Sequence, residues 1–422
     1  MTEQQAMRSV EEHLADILAS MSRLAPERVP LDASLGRVLA QRVTAATAIP
    51  PFDNSAMDGY AVRAGDVRGA SETTPVSLPV VADLAAGPTV SSTLAPGSAA
   101  RIMTGAPVPP GADAIVPVEH TEGGSALDAT PEYDGTASVI VRREPAPGAH
   151  IRRRGDDLAP GDTVLEPGSV LTSRAIAAAA SAGADALLVH GRPRVAVIST
   201  GSELVAPGSP AHHGQIPDSN SFLLAGAVTE AGGVAKRLGA VADDVDALRE
   251  LLEGAAADAD AIVLSGGVSV GAYDVVKELL APLGVRFGTV RMQPGKPQGF
   301  GLWHDGTPIF ALPGNPVSAA VSFEVFVRPA LRRLQGLAEV HRPLFSATAE
   351  IGWRTPPERR QYIPVVMVRD AAGALNVRPA AAGGSGSHLV ASLALADGLA
   401  IVPEDLDAVA AGDTVTVLSW RP

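Results

Sequence analysis

The feature that most constrains this chain is a run of buried strands alternating with helices that begins near Ala184. RVAVIST is a continuous apolar run ending at the turn Gly201, DSNSFLLAGAVTEAGG reads as a helix, and AKRLGAV as a strand. DVDALRELLEGAAA is the next helix and ADAIVLSGG another buried strand. Strands this apolar, separated by helices of this length, predict a parallel, doubly wound sheet over residues 183–338. The whole chain has 422 residues, and one core stops growing at roughly 250–300. Two to four domains are therefore expected, with other units flanking the α/β one.

Upstream, Leu14, Ile17, Leu18 and Met21 recur at spacings of three and four, which predicts an amphipathic helix from Val10 to about Leu24, ended by Pro26. VPLDASLGRVLAQRVTA predicts a short extended piece and then a helix capped at Asp32 or Ser34. Over residues 51–146, short apolar runs such as PVSLPVVADL and ADAIVPVEH alternate with Pro and Gly turns, the pattern of a small β domain. Residues 147–182 enter the helix SRAIAAAASAG and read as a return to the first unit. Residues 1–50 and 147–182 then form one discontinuous helical domain around an insert. Residues 339–422 turn β-rich again through FSATAEIGW, YIPVVMV and DTVTVL, predicting a C-terminal β-barrel-like domain. The expected fold class is α/β plus β, multidomain.

An apolar fraction of 46% with only 4% aromatics means the cores are built of Ala, Val, Leu and Ile. The absence of cysteine removes disulfides, thiolate metal ligands and a cysteine nucleophile, and fits a cytoplasmic protein. The start, MTEQQAMRSVEEHLADIL, is acidic where a signal peptide is basic, and no stretch reaches the ~18 apolar residues of a membrane helix. A soluble protein without a membrane partner is expected. A net charge of −13 argues against nucleic acid, whose binding rests on neutralising phosphates. A small anion needs only local cations, and these cluster at Arg152, Arg153 and Arg154 and again at Arg291 and Lys296.

The clearest chemical signal is SGGVSVG, with Ser265, Gly266, Gly267, Ser269 and Gly271, directly after the strand AIVL. Glycines at the carboxyl end of a parallel strand let backbone N–H groups approach a phosphate, and a helix starting near Asp274 adds its positive end. The GxxxxGK(S/T) pattern of a nucleotide-triphosphatase is missing. STGSEL, with Ser199, Thr200, Gly201 and Glu203, follows another strand, and LPGNPVSA, with Pro313, Gly314, Asn315 and Pro316, follows a third. Three such turns on one sheet edge would border a continuous groove.

In MQPGKPQGFG, Pro294 and Pro297 stiffen the backbone around Lys296. If the residues before it are extended, Thr289, Arg291 and Gln293 share a face that puts Arg291 beside the groove. In the inserted region, Asp53, Asn54, Ser55 and Asp58, and Thr104 before a glycine, serve equally as turn caps or as ligand contacts. Glu203, Asp243, Asp244 and Asp274 stand at or near strand ends, where carboxylates suit Mg²⁺ shared with substrate phosphates. Asp243 and Asp244 equally suit a cap on the helix VDALRELL.

FDNSAMDGYA, RIMTGAPVP, IRRRGDD, VISTGSEL, SGGVSVG, PGKP and LPGNPVS occur in this order over Pro51 to Ser318, and the ordered set resembles the MoeA family of molybdenum cofactor synthesis. Its eukaryotic counterpart is the E domain of gephyrin. The resemblance covers nearly the whole chain, including GSGSH at Gly384 to His388. It implies an elongated homodimer of four-domain subunits, the α/β domain similar to MoaB and MogA, with an active site between that domain and the inserted domain of the other subunit.

The implied activity is insertion of molybdate into adenylylated molybdopterin with Mg²⁺-dependent release of AMP, the molybdopterin adenylyltransferase being a candidate partner. Carried over onto matching motif positions are Asp58, Thr104, Arg152, Asp157, Glu203, Asp274, Pro313 and Pro316, with Asp244 or Asp243 at an acidic position, and Arg360 and Ser387 in the last domain. Where some members carry lysines this chain has Thr289 and Gln293, so Arg291 and Lys296 are the cations expected to serve instead. Two other readings are the preceding adenylylation step and a non-catalytic pterin-binding scaffold.

Overall fold

The computed structural model describes residues 7–88, 92–122, 137–268, 275–371, 373–381, 386 and 389–420. At its centre lies a six-stranded sheet in the order Val234–Val241, Arg194–Thr200, Ala261–Ser265, Pro308–Leu312, Pro297–Leu302, Arg286–Thr289. The first four strands are parallel. Pro297–Leu302 runs antiparallel to both its neighbours, because the chain reverses into it between Thr289 and Pro297 and out of it between Leu302 and Pro308 without a crossover helix. The sheet is thus doubly wound with one antiparallel strand next to its edge.

Apolar runs are continuous in its middle strands because both faces are covered. Val195, Val197, Val263 and Phe310 face the helices Asn220–Glu230 and Pro316–Ser322. Ala196, Ile198, Leu264 and Ile309 meet Leu248, Leu252, Val276 and Leu280 from the opposite layer.

The first helix, Val10–Ala19, starts with a capping box in which Glu12 N–H donates to Ser9 Oγ at 3.1 Å and Ser9 N–H to Glu12 Oε2 at 2.8 Å. Val10 and Ile17 of this helix, with Met21 just beyond its end, join the core of the α/β sheet. His13 is only 6% exposed and meets Phe326 edge-on at 4.7 Å between centroids.

Burial, with help from the Arg8 charge, holds the His13 ring down to about 4, against Asp16, which pulls the other way. A folded-state value below the unfolded one of about 6.5 means the neutral ring's contribution is complete above that pH and is lost as pH falls toward 4. The full loss is on the order of 3 kcal/mol. Melting temperatures of the parent and of His13→Phe, compared from pH 7 to pH about 4, should therefore converge on acidification. Parallel pH profiles would remove His13 from the acid response.

The helix expected after Asp32 is absent. One 3₁₀ turn, Leu31–Ala33, is capped by Ser34 Oγ donating to Leu31 O at 2.7 Å, and Gly36 then takes a left-handed conformation, φ 73°. Beyond it, Val38 bridges Val170, Leu39 bridges Val189, and Val43–Thr44 pairs with Thr163–Leu165. Long-range pairing of β-branched and buried residues overrides a local helix pattern here. Pro26–Pro30 pairs antiparallel with Ala186–His190, and Asn54–Ser55 with Ile151–Arg152. Between these outgoing and returning ribbons stands a second six-stranded sheet, from Gly59–Val62 to Ser138–Val141.

In the C-terminal sheet Arg360–Arg369, Leu375–Pro379, Leu344–Ala349, Thr414–Ser419 and Gly398–Val402 are neighbours in that order, and the last pairs back onto the first. This closes the expected barrel. Met292–Gln293, from the α/β segment, adds a strand beside Arg360–Arg369. No helix among the described residues is long and apolar enough to cross a membrane.

Candidate active site

The strand Val234–Val241 lies on one side of Arg194–Thr200, and Ala261–Ser265 and Pro308–Leu312 lie on the other. Such a reversal of order opens a crevice at the carboxyl ends of the strands. A groove of about 720 Å³ occupies it, bordered by Thr200, Gly201 and Glu203, by Ser265, Gly266 and Gly267, and by Pro313, Gly314, Asn315 and Pro316. The expected convergence of three turns is present.

Glycine is required where the turns crowd. A Cβ on Gly201, φ 149°, would stand 2.5 Å from a Glu203 carboxylate oxygen. One on Gly266, φ 100°, would stand 2.5 Å from the Thr200 carbonyl. Ser199 lies beneath the first turn and donates its Oγ to Asp218 Oδ1 at 2.9 Å. Ser269, Gly271, Asp274 and Ser387 lie outside the described residues.

Of the paired acids, Asp243 lines the groove, where Oδ2 accepts from Ser202 N–H at 3.0 Å. Asp244 instead caps the helix Val245–Ala256, accepting from Ala247 N–H at 2.8 Å. No three acidic or histidine side chains gather as a metal cluster among the described residues. Asp243 and Glu203 still suit Mg²⁺, which is commonly held by one or two carboxylates together with substrate phosphates.

The expectation for Arg291 fails. The strand that carries Thr289 ends there, and Met292–Gln293 pairs with the C-terminal sheet, so alternation does not run through the interval. Arg291 is exposed and lines a different hollow with Arg8, Glu12 and Asp16, its N–H donating to Arg8 O at 2.8 Å. Thr289 borders a separate cavity of about 310 Å³ beside Arg8 and His13. Gln293 Oε1 accepts from Arg359 Nη1 at 3.1 Å. Lys296 is half-buried and absent from the groove lining, which Pro297 joins instead. Arg360 is committed to Glu11 and, at 3.2 Å, to Glu404, under the first helix and away from the groove.

Asp58 accepts from both the N–H and the Oγ1 of Thr104, each at 2.7 Å, and these bonds hold its carboxyl below the ordinary range. Asp53 takes the turn-capping role, accepting from Arg154 N–H at 2.8 Å and pairing with Arg153 at 2.7 Å. Arg152 and Asp157 are exposed. Asp58, Thr104, Arg152 and Asp157 do not line the groove of their own chain.

Two groove residues escaped the sequence reading. Asp218 is 2% exposed and accepts, besides Ser199, the N–H of Ser221 at 3.1 Å. Asn220 donates to Ser265 Oγ and to Gly314 O, both at 2.7 Å. The phrase DSN before a helix carries a faint sign of them, since Asx side chains there read as ordinary caps.

Comparison with known proteins bears on the whole chain. Residues 8–183 match the MoeA N-terminal region (domain I and II), residues 196–333 a probable molybdopterin binding domain, and residues 346–420 the MoeA C-terminal region (domain IV). Molybdopterin molybdenumtransferase 2 of Mycobacterium tuberculosis (strain ATCC 25618 / H37Rv) is 47% identical over 418 residues, 97% of this chain and 99% of that protein. Molybdopterin molybdenumtransferase 1 of the same strain is 37% identical over 430 residues, 97% and 98% of the two chains. The crystal structure of the molybdopterin biosynthesis moeA protein from Pyrococcus horikosii superposes with a TM-score of 0.81 at 32% identity, covering 99% of this chain and 100% of that one.

Proposed function

This chain belongs to the MoeA family, and on that premise we propose that it is a molybdopterin molybdenumtransferase that inserts molybdate into adenylylated molybdopterin and releases AMP. The observation that carries the reading is the groove at the strand ends, where three glycine-bearing turns stand beside Glu203 and Asp243. Molybdate is a dianion and the pterin adenylate carries phosphates, so bringing them together requires fixed N–H donors and positive charge. Mg²⁺, when bound, supplies charge neutralisation across the phosphate linkage. Asp243 and Glu203 would hold it, with Asp274 as the further acid expected from sequence.

The Gly201 and Gly266 N–H groups hold their turns in place by donating to Val241 O at 3.1 Å and Leu312 O at 3.0 Å, and the backbone N–H groups of Gly267 and Gly314 beside them bind and orient the phosphates. The chain has no cysteine, so the sulfur ligands of the metal come from the pterin. Asp58, Thr104, Arg152 and Asp157 stand on elements that stay clear of their own groove, which supports a homodimer in which the inserted sheet of one copy closes the groove of the other. A cytoplasmic setting belongs to the same proposal.

Incubation of the purified protein with adenylylated molybdopterin, Mg²⁺ and molybdate should give AMP in a molybdate-dependent manner. ATP-dependent formation of the adenylylated pterin would instead assign the preceding step. Pterin binding without either reaction would make the chain a scaffold.

A further inference from the structure

The turns that border the groove come from different strands, and one side chain outside all three ties two of them together. Asn220 opens the helix Asn220–Glu230, and its Nδ2 donates to Ser265 Oγ and to Gly314 O, each at 2.7 Å. A backbone carbonyl can only accept, so the Gly314 contact fixes which end of the amide is nitrogen. The other end, Oδ1, has no protein hydrogen-bond partner among the described residues.

The amide spends its N–H donors on two separate turns, Ser265 and Gly314, which ties the place of one to the place of the other. The segment around Asn220 also reaches the third turn. Asp218 accepts from Ser199 Oγ at 2.9 Å and from Ser221 Oγ at 2.5 Å, and Thr200 Oγ1 donates to Ser265 O at 3.4 Å.

We propose that Asn220 is a positioning residue for the transfer reaction, setting the separation between the Ser265 and Gly314 turns and so the place at which their backbone donors meet the anionic pterin. This rests on the molybdenumtransferase reading. Misplacing a donor by about 1 Å costs on the order of a hundredfold in rate. The remaining groove contacts do not depend on the amide, so the loss falls on kcat more than on KM.

The test compares the parent with Asn220→Ala, Asn220→Asp and Asn220→Ser by AMP release, thermal melting and amide exchange at residues 265–268 and at Gly314 and Asn315. Asn220→Asp keeps the volume but sets a carboxylate against the Gly314 carbonyl. We expect kcat to fall by about tenfold to a hundredfold in Asn220→Ala and further in Asn220→Asp, with KM for adenylylated molybdopterin within about threefold. Asn220→Ser, which keeps one donor, should recover part of the loss, and exchange at both turns should quicken in Asn220→Ala and Asn220→Asp while the rest of the chain stays protected. An active parent with unchanged kcat in Asn220→Ala, or turns whose exchange is unaltered, overturns the assignment. So does a global melting loss that tracks the activity loss across the variants. A parent that releases no AMP counts against the transferase reading instead, and the exchange measurement still decides whether Asn220 holds the turns.

Discussion

Asp243→Asn is expected to lower turnover by at least about a hundredfold while leaving the melting temperature nearly unmoved, the scale of losing a principal electrostatic element from an active site. Asn keeps an acceptor for Ser202 N–H, so the local turn survives, and only the charge offered to the groove disappears. The adjacent acid gives the opposite result. Asp244→Ala removes a helix cap worth about 1 kcal/mol and should shift the melt with turnover retained. Steady-state AMP release and thermal melts on both variants make the comparison, and equal turnover in Asp243→Asn and the parent would take Asp243 out of the proposed chemistry.

Glu324→Ala should be the more damaging to the fold. Its carboxylate is 7% exposed in the segment Phe323–Val327 and lies 2.8 Å from Arg342 and 3.6 Å from Arg328. Burial pushes this carboxyl above its ordinary value, against the pull of Arg342 and Arg328. Removing it leaves two largely buried guanidiniums facing each other, a loss of about 3–5 kcal/mol. A urea titration should show the midpoint falling sharply. Exchanging Glu324, Arg328 and Arg342 together for methionine should restore much of the loss, since replacing a buried ion pair or triad by apolar groups is often neutral or better. A triple variant as unstable as Glu324→Ala would assign the cost to packing.

Reading the sequence succeeded where the cause was local. VAVI in RVAVIST and AIVL in AIVLS are continuous apolar runs because their strands are covered on both faces, and that pattern needs no knowledge of partners. The groove turns were legible for the same reason, each being a glycine-bearing break directly after such a strand.

Failures follow interactions that sequence neighbours do not carry. The segment after Asp32 became extended because Val38 and Leu39 find partners at Val170 and Val189. Arg291 left the groove because two residues beyond it are claimed by the C-terminal sheet. Asn220 gained its role from Ser265 and Gly314, which are 45 and 94 residues away. Asp243 and Asp244 are neighbours, and only the direction of the chain at the helix start separates their roles.

The pairing of Pro26–Pro30 with Ala186–His190 has a consequence for synthesis. A ribosome releases the first strand long before its mate exists, and at roughly 5–20 residues per second the wait is on the order of ten seconds or more. All strands of the inserted sheet lie between Gly59 and Val141, so that sheet can complete itself during the delay. Val29 and Leu39 meanwhile stay uncovered until Leu187 and Val189 arrive to bury them. Nascent chains arrested before about residue 190 should thus carry a finished middle on an unfinished beginning, and be the ones that holding chaperones retain.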